Sequence, residues 1–169
     1  MKEMVNNWEK QKFVEVKLER EEKNSLYTEG QLQVNDITVA QTLEATTRML
    51  PPGNYLIYLT KDKKRRRVIG IWLERGDNLP PFYTGFSISL GHSWINCRKE
   101  HSVCIGRLLV PGALFRGRTM YERLFDRIEK WQKRKKTIRL TISDKHCRPS
   151  EPLRHWVKDH TKLYQSMFV

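Results

Sequence analysis

The sequence predicts a mainly β domain of the β-rich α+β class. Seven or so strands are expected to pair mostly antiparallel around one core, with one packed helix and a short C-terminal helix. Three observations carry this expectation. Short runs alternate apolar and polar residues, as Val14, Val16 and Leu18 do, and that two-residue period marks a strand with one buried face. Turn-forming groups such as Asn35-Asp36 and Pro51-Pro52-Gly53 punctuate the runs. Within residues 119–135, Tyr121, Leu124, Ile128 and Trp131 recur at helical spacing with charges between them.

In chain order, residues 13–20 form the first predicted strand. Residues 31–34 and 37–43 flank Asn35-Asp36, a pair that tolerates positive φ, and so read as a hairpin. After the proline break, residues 55–60 and 68–73 read as two strands joined by Lys61-Asp62-Lys63-Lys64-Arg65-Arg66-Arg67, a solvated basic hairpin loop. Residues 82–90 form an aromatic-rich strand that delivers Gly91-His92 to a loop, and residues 93–102 show no clear period. Residues 103–110 are apolar enough to be buried. The helix at 119–135 ends in Lys133, Arg134, Lys135 and Lys136, whose positive charge suits the C-terminal end of the helix dipole. Residues 137–142 alternate as a strand. Ser150 before Glu151-Pro152 reads as the cap of a final helix running to about Leu163. On this basis residues 1–136 form a core domain, and 137–169 a basic strand-helix extension docked on it.

A chain of 169 residues suits a single core. Nine Gly, seven Pro and 38% hydrophobic residues exclude collagen-like and low-complexity classes. No apolar run is long enough for a membrane span, and the first twenty residues lack the apolar centre of a secretory signal. Cytoplasmic synthesis is therefore expected, with any release by lysis, a secretion machine or packaging in a particle. Cys97, Cys104 and Cys147 have no Cys-x-x-Cys spacing, so neither a metal site nor a disulfide framework is indicated, and nothing implies a cofactor. The net charge of +13 is uneven: residues 1–60 hold seven Lys/Arg against nine Asp/Glu, and residues 61–169 hold 25 against 10. The later portion should attract a polyanion, whether nucleic acid, an anionic cell-wall polymer or an acidic protein. Lys63, Lys64, Arg65, Arg66 and Arg67 and the run Lys133, Arg134, Lys135 and Lys136 are the candidate binding residues. Period-two spacing assigns Trp72 to the core and helical spacing does the same for Trp131, which leaves Trp94 as the loop aromatic. Glu44 and Arg48 are expected to pair at the mouth of the proline turn.

A series of short motifs spans residues 14–130: Leu18-x-Arg20, Gly30-x-Leu32, Thr42-Leu43-Glu44 with Arg48, Pro51-x-Gly53-x-Tyr55, Ile88-x-x-Gly91-His92, Cys104-Ile105 and a closing helix. In order and spacing this resembles an uncharacterised family of small β-rich proteins encoded by phages, prophages and bacterial chromosomes, which is itself similar to the L,D-transpeptidases. The resemblance implies an L,D-transpeptidase-like antiparallel β domain with a cysteine site acting on, or binding, peptidoglycan peptides. It makes Cys104 the nucleophile and Arg107, offset by one residue from the family's arginine, a group that orients substrate. Ser89 stands where the family has its histidine, and Val103 where it has the glycine before the cysteine. His92 is then the expected general base, with His101 as the other candidate, since a thiolate nucleophile needs an imidazole to take its proton. The two departures motivate a second expectation: a catalytically degenerate copy of the fold that serves as a basic module binding nucleic acid, an acidic host protein or a virion component.

Overall fold

The computed structural model describes residues 12–150. Its strands are β1 (Phe13–Lys23), β2 (Tyr27–Val34), β3 (Ile37–Ala45), β4 (Gly53–Lys61), β5 (Arg67–Leu73), β6 (Phe82–Leu90), β7 (Ser102–Val110), β8 (Ala113–Phe115), β9 (Thr137–Ser143) and β10 (Arg148–Pro149). Helix α1 (Trp94–Glu100) lies between β6 and β7, and helix α2 (Gly117–Lys133) between β8 and β9. The β-rich α+β class is as the sequence predicts. The expected final helix from Ser150 to Leu163 extends outside the described residues. No helix among the described residues is long and apolar enough to cross a membrane.

Eight strands follow one another as β1-β2-β3-β7-β6-β5-β4-β9, and β9 then pairs with β1, closing the sheet into a barrel. Most pairings are antiparallel, but β1 runs parallel to β9 and β6 parallel to β7. Parallel neighbours need a crossover, and α1 with its flanking turns supplies it between β6 and β7. The segment 93–102, which shows no period in sequence, therefore contains a helix. Seven residues with only Cys97 buried are too few to display one. The division at residue 136 also needs correction. Thr137–Ser143 is a barrel strand, held by β1 on one side and β4 on the other, so it belongs to the core.

Alternation along the strands decides what faces the barrel axis. Val14, Val16 and Leu18 of β1, Ile57 of β4, Ile69 and Ile71 of β5 and Ile138, Leu140 and Ile142 of β9 share one buried cluster. An eight-stranded barrel is just wide enough for such side chains to fill. Leu124 and Ile128 of α2 join the same cluster, so the amphipathic helix covers one end of the barrel. The Gln132 side chain ties it there by accepting the Leu59 N–H at 2.7 Å. The Asn35-Asp36 turn has φ of 49° and 66°, the two positive values that its residue types allow in a tight hairpin.

The inward alternation continues through Arg20 on β1 and Glu44 on β3. The guanidinium meets the carboxylate twice, Nε to Oε2 and Nη2 to Oε1, both at 2.8 Å, and Nη2 also donates to the Leu50 carbonyl at 2.6 Å. Both side chains are 1% exposed. Glu44 thus pairs with Arg20 inside the barrel and not with Arg48, whose Nη1 lies 2.9 Å from His101 Nε2. Breaking a buried pair strands one charge, whereas replacing both partners with apolar groups does not. Glu44→Ala is expected to cost about 3–5 kcal/mol in urea unfolding, and the double change Arg20→Met/Glu44→Leu much less.

A second carboxylate sits less comfortably. Glu29 lies opposite Glu22 across the β1–β2 pair, and burial pushes its carboxyl up to about 7 against the Gly112 backbone N–H, with Glu22 and Glu21 adding to the rise. The folded chain holds this proton more tightly than the unfolded one. Glu29 therefore costs nothing below about pH 4 and destabilises increasingly as pH rises to 7, the full cost applying above that. Glu29→Gln should raise stability by about 1 kcal/mol at pH 8, discounted for its partial exposure, and leave stability at pH 4 unchanged in thermal unfolding.

Candidate functional site

On β7, Val103 and Ile105 point into the barrel, so Cys104 between them points to its outer wall. There it packs with Tyr27, Leu43, Leu114 and Cys97 of α1, in a small cluster separate from the barrel core, and it is 1% exposed. The parallel register of β6 and β7 sets Ser89 beside Cys104. Two hydroxyls lie within hydrogen-bond distance of the sulfur, Ser102 Oγ at 3.5 Å and Ser89 Oγ at 3.8 Å. Gly91 lies so close above that a Cβ there would collide with the sulfur. The Cys97 thiol donates to the carbonyls of Leu43 and Ser93 at 3.3 and 3.4 Å. The neighbouring Cys97 thiol, and then the Ser102 and Ser89 hydroxyls, lower the Cys104 pKa against burial. The same contact and burial push Cys97 up, so Cys104 is the more acidic of the two.

The residues expected to work with Cys104 make no hydrogen bond to its sulfur among the described residues. His92 is exposed, and its carbonyl accepts the Leu114 N–H at 2.9 Å; no histidine among the described residues hydrogen-bonds the Cys104 sulfur. His101 ends α1 in the left-handed conformation, with φ of 48°. Its Nε2 faces Arg48 Nη1, and because a guanidinium only donates, the ring must accept there and carry its proton on Nδ1. Arg107 is exposed and lies three residues beyond Cys104, on the opposite face of β7 by alternation. Neither His92 nor Arg107 is joined to Cys104 by a hydrogen bond among the described residues. Ser102 and Ser89 are the hydroxyl residues that meet the thiol.

A groove of about 860 Å³ opens on the outer face of β6. Ser87 and Ser89 line its floor, the β4–β5 hairpin forms one wall, and Lys99 and His101 at the end of α1 form the other, with Tyr83 and Tyr121 at its margins. Six basic side chains reach it, Lys61, Lys63, Lys64, Arg66, Arg67 and Lys99, against Asp62 and Glu100. The hairpin tip is an organised turn. Asp62 Oδ1 accepts the Lys64 and Arg66 N–H groups at 2.8 and 2.9 Å, and Oδ2 accepts from Arg66 Nε at 3.1 Å. The Arg66 backbone bond, followed by the other Arg66 and Lys64 contacts, holds the Asp62 carboxyl below its usual value. Arg67 is drawn aside by Glu129 of α2 at 2.7 Å and lies over the Phe125 ring. Among the described residues Lys61, Lys63, Lys64 and Lys99 have no ion-pair partner.

Of the first basic run, Lys63, Lys64, Arg66 and Arg67 line the groove and Arg65 does not. Lys133, Arg134, Lys135 and Lys136 at the end of α2 lie outside it. Their link to the first run is Glu129, which accepts from Arg67 and lies 4.0 Å from Lys133. Sequence reasoning missed Ser87, Tyr83 and Lys99, and noted Ser89 without placing it in a groove. The alternating serines of Phe86-Ser87-Ile88-Ser89-Leu90 were the available signal, since a polar set at period two marks the outer face of a strand. Two tryptophans also change places. Trp72 lies on the outer wall beside Tyr83, and Trp94 begins α1 and packs partly buried against the cysteine cluster.

No family model matches this chain, and no curated protein or solved structure is significantly similar to it. The thiols can be ranked by access. Cys147 is part-exposed while Cys97 and Cys104 are buried. In the folded protein iodoacetamide should label Cys147 at least ~10-fold faster than Cys104, with the rates converging in urea, as read by peptide mass spectrometry.

Proposed function

We propose that this chain is a polyanion-binding module that holds its ligand in the groove between the β4–β5 hairpin and α1. One observation carries the reading: six basic side chains converge on a concave surface floored by two serines, and four of them lack ion-pair partners among the described residues. Concentrated like charge that is not neutralised within the fold raises the local potential and favours a ligand of opposite sign. The serine hydroxyls add neutral hydrogen-bond donors for anionic oxygens. Lys133, Arg134, Lys135 and Lys136 extend the field along α2.

The resemblance to the L,D-transpeptidase-like phage and prophage family supports a second reading, a cysteine-dependent transpeptidase or peptidase acting on peptidoglycan peptides. The observation in its favour is the register that sets Ser89 against Cys104, the two positions the family uses for histidine and cysteine. The buried thiol is flanked by hydroxyls, and among the described residues no imidazole hydrogen-bonds it to take its proton, which favours binding over turnover. Peptidoglycan peptides carry carboxylates, so the same groove suits them as ligands. Turnover of such a peptide that is lost in Cys104→Ala would reinstate the enzyme.

Binding through about five lysine or arginine contacts to a single-stranded polyanion should weaken roughly 100-fold between 50 and 200 mM salt. Anisotropy titrations of a fluorescent 12-nucleotide strand should give that slope, and Lys63→Ala/Lys64→Ala should lower both the affinity and the slope. If neither nucleic acid nor a carboxylate-bearing cell-wall peptide binds at 50 mM salt, the groove is a solvated surface and the reading fails.

A further inference from the structure

Beside the basic groove, the outer wall of the barrel carries an aromatic cluster that the hydrophobic core does not use. Trp72 of β5 lies across Gly70, where a Cβ would come within 3.1 Å of its Nε1, and that nitrogen donates to Thr60 Oγ1 at 2.9 Å. The missing side chain at Gly70 is what lets the indole lie against the wall. Tyr83 of β6 flanks it at 5.1 Å between centroids with an interplanar angle of 32°, and Tyr58 of β4 meets it edge-on at 5.9 Å. All three rings are half-buried, and none belongs to either core cluster. Tyr83 also borders the basic groove, so cations and rings form one continuous surface.

We propose that the groove and this aromatic wall together bind single-stranded nucleic acid, with the backbone phosphates on Lys61, Lys63, Lys64 and Lys99 and a base stacked at Tyr83 and Trp72. The inference rests on the polyanion reading and names its ligand. A single strand presents both features that the surface can satisfy, a repeating negative charge and unpaired ring faces. A duplex presents the charge but keeps its bases stacked inside, which leaves the aromatic wall unused. A glycan or acidic peptide chain could engage the rings or the lysines but does not repeat a phosphate beside a planar ring.

The test uses the full chain and three fluorescent probes of matched length: a 12-nucleotide thymidine strand, the same sugar-phosphate chain without bases, and a 12-base-pair duplex. The thymidine strand should bind at least ~10-fold more tightly than the abasic chain, because stacking adds to charge. Tyr83→Ala should bring that ratio close to one, and Tyr83→Phe, which keeps the ring, should restore it. That rescue separates lost stacking from a folding defect. Equal affinity for the thymidine and abasic chains would overturn the stacking surface while leaving the polyanion reading standing. Absence of binding by every probe at 50 mM salt would remove the nucleic-acid ligand altogether, and a preference for the duplex would overturn the single-strand assignment.

Discussion

Closure of the sheet by β9 is the constraint on which the other features depend. This strand runs parallel to β1 and antiparallel to β4, and without it the remaining strands would form an open sheet with both edges unpaired. Once it is in place, the two-residue alternation of every strand acquires a fixed meaning, one set of side chains inward and the other outward. Isoleucines, leucines and valines fill the axis, and α2 lies over one end of it. The Arg20–Glu44 pair lies on the same inward alternation. The two bonds of its bidentate contact and the Leu50 carbonyl are what make a buried charge tolerable there.

The outward set is where chemistry is possible, and it is divided between two environments. Toward β3 and β8, α1 covers the wall and buries Cys97 and Cys104 together, with hydroxyls, carbonyls and each other as hydrogen-bond partners of the sulfurs. Toward β4 and β5 the wall is open, and the same β6 face that contributes Ser89 to the thiol contributes Ser87 and Ser89 to the groove. The thiol and the groove therefore share a strand but differ in access. The lysines of the hairpin are exposed, whereas Cys104 is buried.

The hairpin shows how charge can be displayed without being loose. Asp62 gathers the backbone of the tip through its carboxylate, and this fixes Lys63 and Lys64 at the groove while Glu129 draws Arg67 toward α2. A tip ordered in advance would lose less entropy in the proposed binding of a polyanion. Two of the acidic groups near the basic runs thus act as scaffolding, and the charge left over faces solvent.

The sequence by itself determined the class of fold, most strand positions, the Asn35-Asp36 turn, the long helix and the basic hairpin. These are local patterns, set by side-chain period and turn stereochemistry, and a strand such as 14–18 or a helix such as 121–131 reveals them without reference to distant residues. Only the tertiary structure decided that 137–143 is a barrel strand, that Glu44 pairs with Arg20, and that Trp72 lies on the outer wall. A strand's alternation says which residues share a face, but it does not say which face is inward until the sheet has closed. The candidate site followed the same division. The lysines and arginines of the hairpin were legible as a run of charge, but their convergence with Ser87, Ser89 and Lys99 was not. Nor was the burial of Cys104 beside Cys97, with His92 and Arg107 left exposed. Those relations are set by strand order and by the short crossover through α1, where residues adjacent in space come from segments far apart in the chain.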